Sequence, residues 1–153
     1  MIVLYGSLVF ACLWFGVCQA KRLSIRCEFF AGLCKFLKLY EENLSFKQEN
    51  LKTLIKNFCA DNEGEFKVFL ENLVIKDKDV QVEGLTTKEV FQVKEIILSL
   101  GKSDQQTESQ IIKHLEFLAS EMSEKAKATR EKYSSLSIKL SLLIGLILVV
   151  LLL

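Results

Sequence analysis

The run Gly101-Lys102-Ser103 matches the closing residues of a phosphate-binding loop, where a lysine meets nucleotide phosphates and a hydroxyl meets their metal. The opening glycine of such a loop would fall at position 96, which is Ile96, and the preceding segment has a helical rather than a strand pattern. Nucleotide binding is therefore not expected. His114, the one histidine, has Lys113 and Glu116 beside it but no serine or cysteine placed as a nucleophile. A solvated or half-buried helix histidine is expected there, not a general base. Among the five cysteines there is no CxxC pair. Cys27 and Cys34, seven apart on one helix, are separated by about 10 Å of rise, too far for a disulfide. Cys12 and Cys18 lie in an apolar run and Cys59 is alone, so the set reads as small buried hydrophobes in a compartment that is not oxidising. Glu-x-x-His pairs that build di-metal sites in helical bundles are absent. No catalytic residue, cofactor or metal is expected, and the chain reads as a non-enzyme.

The elements that carry these residues follow from the distribution of charge. No Lys, Arg, Asp, Glu or His precedes Lys21, and none follows Lys139. The apolar runs at residues 2–20 and 136–153 span roughly 27–29 Å as helices, against a hydrocarbon core of about 30 Å. Backbone groups in lipid must be satisfied internally, so both runs are expected to be transmembrane helices. The expected division is residues 1–20, a transmembrane helix; 21–135, a helical cytoplasmic domain; and 136–153, a second transmembrane helix. All 19 acidic residues and 19 of the 20 basic ones fall between the apolar runs, Lys139 alone entering the second, so the charges are nearly balanced in sign and no one-signed field recruits nucleic acid.

A signal peptide carries basic residues before its apolar core, and residues 1–7 have none, so cleavage is not expected. Lys21, Arg22 and Arg26 follow the first run, and Lys125, Lys127, Arg130, Lys132 and Lys139 precede or enter the second. The positive-inside bias places the domain in the cytoplasm with both termini outside. Lys139, about one turn inside the second run, should snorkel to the interface.

Between the runs, the absence of proline fits long helices, and the expected fold class is all-α, a small antiparallel helical bundle. Leu23, Cys27, Phe30, Cys34 and Leu37 carry the first helix on to about Tyr40, with a break over Asn43 to Ser45. Ser45 and Gln48 fit a capping box for a second helix with Phe46, Leu51, Leu54, Ile55 and Phe58. Asp61-Asn62-Glu63-Gly64 is turn chemistry, and a third helix presents Phe66, Phe69, Leu70 and Leu73. The stretch from Lys76 to Gly84 reads as a solvated loop. Thr86 with Glu89 caps a fourth helix with Val90, Val93, Ile96, Ile97 and Leu100, and Gly101 suits its left-handed end. Ser103 with Gln106 opens a last helix in which Ile111, Leu115, Leu118, Met122, Ala126, Thr129, Tyr133 and Leu136 run unbroken into the C-terminal run.

In these residues the chain resembles the stage III sporulation protein AB family. The likeness rests on Leu100-Gly101-Lys102-Ser103-Asp104, Gln110, the long charged helix, Lys132-Tyr133 with Leu136, and the terminal apolar run. Gly6, Gly16 and Lys21-Arg22 match the family's N-terminal pattern more loosely. Departures include Ser137, where the family usually has glycine, and a longer interval from Asp104 to Gln110. The resemblance implies a two-span protein of the mother-cell membrane around the forespore. It would serve as a non-enzymatic platform of a secretion-like, feeding-tube apparatus. The implied partners are the membrane, a cytoplasmic secretion-type ATPase of the same operon, other sporulation channel proteins and a possible homo-oligomer. A small two-span membrane regulator or stator unrelated to secretion is the alternative.

An ATPase-facing surface is expected in loops distal to the membrane. A last helix beginning at Asp104 sets the Gly101 turn roughly 40 Å from the bilayer boundary. Lys102, Ser103 and Asp104 are the first candidates for contact, with Asp77, Lys78 and Asp79 next. Ser103 and Asp104 would also serve as helix-starting residues whatever binds there.

Overall fold

The computed structural model describes residues 2–46, 50–76, 78, 81–102 and 105–152. Five α-helices run in the order α1 (Ile2–Phe46), α2 (Leu51–Asp61), α3 (Glu65–Leu70), α4 (Thr87–Ser99) and α5 (Gln105–Leu152), with a π-helical turn (Glu71–Ile75) extending α3. No strand occurs among the described residues. The all-α class expected from the sequence is what the chain adopts. Among the described residues, no helix is long and apolar enough to cross a membrane.

The frame is an antiparallel hairpin of the two long helices. α5, with 48 residues, extends about 72 Å. Each helix runs without interruption from its charge-free end into the charged middle of the chain. Two expectations are corrected at the far end of α1. The helix continues through Asn43 to Phe46 rather than breaking at Asn43–Ser45, and the Ser45 hydroxyl donates back to the Glu41 carbonyl at 3.1 Å. The cap of α2 is therefore Asn50, whose side chain accepts from the Lys52 N–H at 3.3 Å. Ser45 already lies inside α1, where Phe46 also falls, and Gln48 lies outside the described residues.

The two shorter layers pack on one side of this frame. Phe29, Phe30, Phe36, Leu33 and Leu37 of α1 are fully buried against Ile55 and Phe58 of α2 and Phe66, Phe69 and Leu70 of α3. Edge-to-face aromatic contacts dominate, with Phe29 5.2 Å from Phe66 and 5.3 Å from Phe69 between ring centroids. The capping box of α4 forms as expected: the Glu89 N–H donates to Thr86 Oγ1 at 3.3 Å, and the Thr86 N–H donates to Glu89 Oε2 at 3.0 Å. Arg26 of α1 donates to the same Glu89 at 2.5 Å, which ties the start of α4 to the frame. Burial raises the Glu89 carboxyl pKa, but the bonds from Thr86 and the Arg26 guanidinium outweigh it and hold the carboxyl below its ordinary value.

On α5 the buried face differs from the expected stripe. Glu108, Ile112, Leu115, Ala119, Ser123 and Ala126 are buried, whereas Ile111 is exposed and Leu118 half-buried. Leu115 and Ala126 of the expected stripe are buried, and the rest of the buried face falls on Ile112, Ala119 and Ser123 instead of on Ile111, Leu118 and Met122. The face that meets α1 is instead carried by small residues, which let two long helices approach closely, and the larger Leu118 and Met122 turn toward α4.

The connection into α4 also lies elsewhere than expected. Val82 is buried, Glu83 pairs with Arg22 at 3.3 Å, and Gly84 sits against the Arg22 carbonyl. Gly84 has φ of 88°, and a Cβ there would stand 2.6 Å from that backbone oxygen, so only glycine fits. This return sits two residues past the end of the charge-free run of α1, not at the opposite end of the bundle.

Candidate functional site

At the end of the hairpin opposite the charge-free runs, one buried carboxylate organises the turn between α4 and α5. The Glu108 side chain accepts from the Tyr40 hydroxyl at 2.6 Å and from the Gly101 N–H. Glu108 is 5% exposed and Tyr40 3%. The bond joins α1, α5 and the turn at a single acceptor. Gly101 has φ of 77°, the left-handed turn the sequence predicts. Burial first, then the hydrogen bond and charge of Glu108, push the Tyr40 phenol well above its ordinary range, with a smaller opposing effect from the Gly101 backbone. No sequence motif marks this network, because Tyr40 and Glu108 are 68 residues apart.

The turn fixes one end of a groove of 710 Å³ between α4 and α5. Gln92, Glu95, Leu98 and Lys102 line it from one side, and His114, Leu118 and Met122 from the other. Leu98 and, nearby in sequence, Phe91 and Phe117 are large exposed apolar side chains on these two helices. The Ser99 hydroxyl, which also lines the groove, donates to the Ile96 carbonyl at 2.7 Å, so its proton is committed within the helix rather than to His114. A groove with a mixed apolar and polar lining can seat a protein segment. Its polar groups do not form a nucleophile–base arrangement.

Of the residues expected at a partner contact, Lys102 is exposed and lines this groove. Lys78 is exposed, with its N–H donating to the Asn72 carbonyl at 2.9 Å, in the connection that ends against Arg22. The structure thus does not join Lys78 to Lys102 in one distal surface. Ser103, Asp104, Asp77 and Asp79 lie outside the described residues. His114 and Met122, read from the sequence as unexceptional helix residues, line the groove with Lys102. Only the pairing of α4 with α5 could have brought them into view.

Glu116, two residues beyond His114, carries a buried Oε1 with no hydrogen-bond partner. Burial raises its pKa, Glu41 of α1 adds to the rise, and Lys38 and Lys113 oppose it. Burial likewise raises the thiol pKa of Cys27, Cys34 and Cys59, leaving them poor nucleophiles. Among the described residues no group of three or more His, Cys, Asp or Glu side chains could hold a metal ion. No family model matches the chain, and no curated protein or solved structure matches it.

Proposed function

We propose that the chain is a non-enzymatic, two-span membrane platform that presents the α4–α5 groove to a cytoplasmic partner. The observation that carries this reading is the inverted polarity of the hairpin's charge-free ends. Where the two ends meet, the contacts are small and polar. The Ser137 hydroxyl donates to the Gly16 carbonyl at 3.2 Å, and that of Ser141 donates to the Ser137 carbonyl at 2.7 Å. A Cβ on Gly16 would lie 2.6 Å from Ser141 Oγ, so the close approach needs glycine. The outward faces carry Phe10, Trp14, Phe15, Val17, Leu140, Leu143, Ile144 and Ile147, all exposed. Small residues and satisfied hydroxyls inside, with bulky apolar groups outside, suit helices packed in lipid. In water the same surface would drive aggregation. The charge-free runs also include residues whose side chains lie outside the described set, so the spans rest on the sequence together with this packing.

The resemblance to stage III sporulation protein AB makes the platform part of a sporulation secretion-like apparatus in the mother-cell membrane. Its groove partner is then the secretion-type ATPase. Lys102, at the far end of the bundle, is the charged residue best placed to meet it.

Topology and docking are tested together. In protein with Cys12, Cys18 and the half-buried Cys34 replaced by alanine, the remaining thiols, Cys27 and Cys59, are buried, so an added Lys113→Cys reports exposure of the domain. An impermeant maleimide should leave it unlabelled in intact cells and label it after lysis. Labelling in intact cells would place the domain outside. Leu98→Glu with Lys102→Glu, both at exposed positions, should abolish capture of the ATPase while leaving membrane insertion and helix content unchanged. Undiminished capture would remove the groove from consideration.

A further inference from the structure

Lys139 lies between Ser137 and Ser141, which meet α1 at Gly16. That register sets Lys139 level with Gly16, four residues and about 6 Å inside the end of the first charge-free run. Its side chain is exposed, and among the described residues no ion pair includes it. Among the described residues, the carboxylate that the connecting segment brings to this end, Glu83, is already paired with Arg22 at 3.3 Å. Glu131, the last acidic residue of the chain, sits eight positions back, about 12 Å along the helix, and the nearest acid on α1 is Glu28, twelve positions beyond Gly16. On the two-span reading above, an ammonium at this depth must find its counter-charge outside the protein.

The direction of α5 decides where that charge is. Side chains on an α-helix lean toward its N-terminus, and α5 enters the apolar zone N-terminal end first. Lys139 therefore leans back toward the charged domain, into the layer where lipid phosphates lie. Lys132 and Leu136 precede it by seven and three positions, so the three share one helix face. Lys132 is exposed, outside the apolar run, with Nζ 5.4 Å from the Tyr133 ring centroid, and among the described residues it too has no ion pair. Below Lys139 the same face of the helix continues into exposed Leu142, Leu143 and Leu146. Two cations a headgroup's depth apart over an apolar ridge match the shape and charge of one phospholipid: phosphate between the lysines, acyl chain along the leucines.

We propose that Lys139 and Lys132 form a binding site for the headgroup of an anionic membrane phospholipid. A zwitterionic lipid carries its own compensating cation, so the site discriminates by net charge, each lysine contributing about fivefold to the preference.

The test uses the full chain reconstituted into phosphatidylcholine vesicles with trace spin-labelled phosphatidylglycerol or phosphatidylcholine. The motionally restricted fraction of each lipid reports its association with the protein. Wild type should prefer phosphatidylglycerol by about fivefold or more at low salt, and the preference should shrink at high salt. Lys132→Gln with Lys139→Gln should bring it to near unity, and Lys113→Gln, at the exposed far end, should leave it unchanged. Equal association of the two lipids with wild type, or full selectivity in the double variant, would overturn the site. Alkaline carbonate extraction of the same vesicles separates this from the topology. Protein that stays in the membrane without lipid selectivity sinks the headgroup site alone, and protein that is extracted sinks the spans and the site together.

Discussion

Replacing Phe29 with alanine should destabilise the domain by about 3–5 kcal/mol, the usual range for a large aromatic removed from a packed core. Phe29 is fully buried and meets three rings, those of Phe30, Phe66 and Phe69, at centroid distances of 5.8, 5.2 and 5.3 Å. It is the point where α1 holds α3, and truncation would open a cavity between the two helices. A domain of this size has about 5–15 kcal/mol in total, so the loss is a large share. Thermal unfolding of the full chain in detergent, followed by far-ultraviolet circular dichroism, should show a lower midpoint. Phe117→Ala, at an exposed site on α5, should leave the midpoint within a degree or two of wild type. Equal midpoints for wild type and Phe29→Ala would mean that this aromatic layer is not what fastens α3 to the hairpin.

Glu108→Ala should cost about 1–3 kcal/mol by leaving the buried Tyr40 hydroxyl without its acceptor and releasing the Gly101 N–H at the turn. Glu108→Gln keeps an acceptor and should lose less. The same network sets a pH dependence whose sign follows from Tyr40. Its folded-state pKa is raised, so folding favours the protonated phenol. That contribution is fully present below the unfolded value of about 10 and is lost as pH rises beyond it toward the folded value. Stability measured from pH 8 to 11 should therefore fall more steeply in wild type than in Tyr40→Phe. Parallel curves for the two proteins would show that the phenol's proton plays no part. Faster amide exchange at Gly101 in Glu108→Ala would locate the damage at the turn.

The features legible in the sequence share one physical origin: they are local. The Thr86–Glu89 capping box, the left-handed Gly101 and the run-through of α5 into the terminal apolar segment are set by residues within a turn or two of each other. The break expected at Asn43–Ser45 failed for the converse reason. Asn and Ser disfavour a helix interior only weakly, and here Asn43 is buried at 3% exposure against the core, so tertiary packing carries α1 on to Phe46. Without that break, Ser45 cannot cap α2, and Asn50 does.

The candidate site lies on the other side of this divide. Charge placement along the chain determined which segments are free of charge and where the basic residues gather, and apolar spacing, caps and the absence of proline determined that the middle is helical. Only the three-dimensional packing decided which face of α5 is buried, because small residues such as Ala119, Ser123 and Ala126 carry little hydrophobic signal yet allow the closest approach to α1. Packing also returned the 81–84 connection to Arg22, set Lys139 level with Gly16, and gathered Lys102 and His114 into one groove. These are contacts between residues tens of positions apart, and no local pattern encodes the rotation or register of one helix against another.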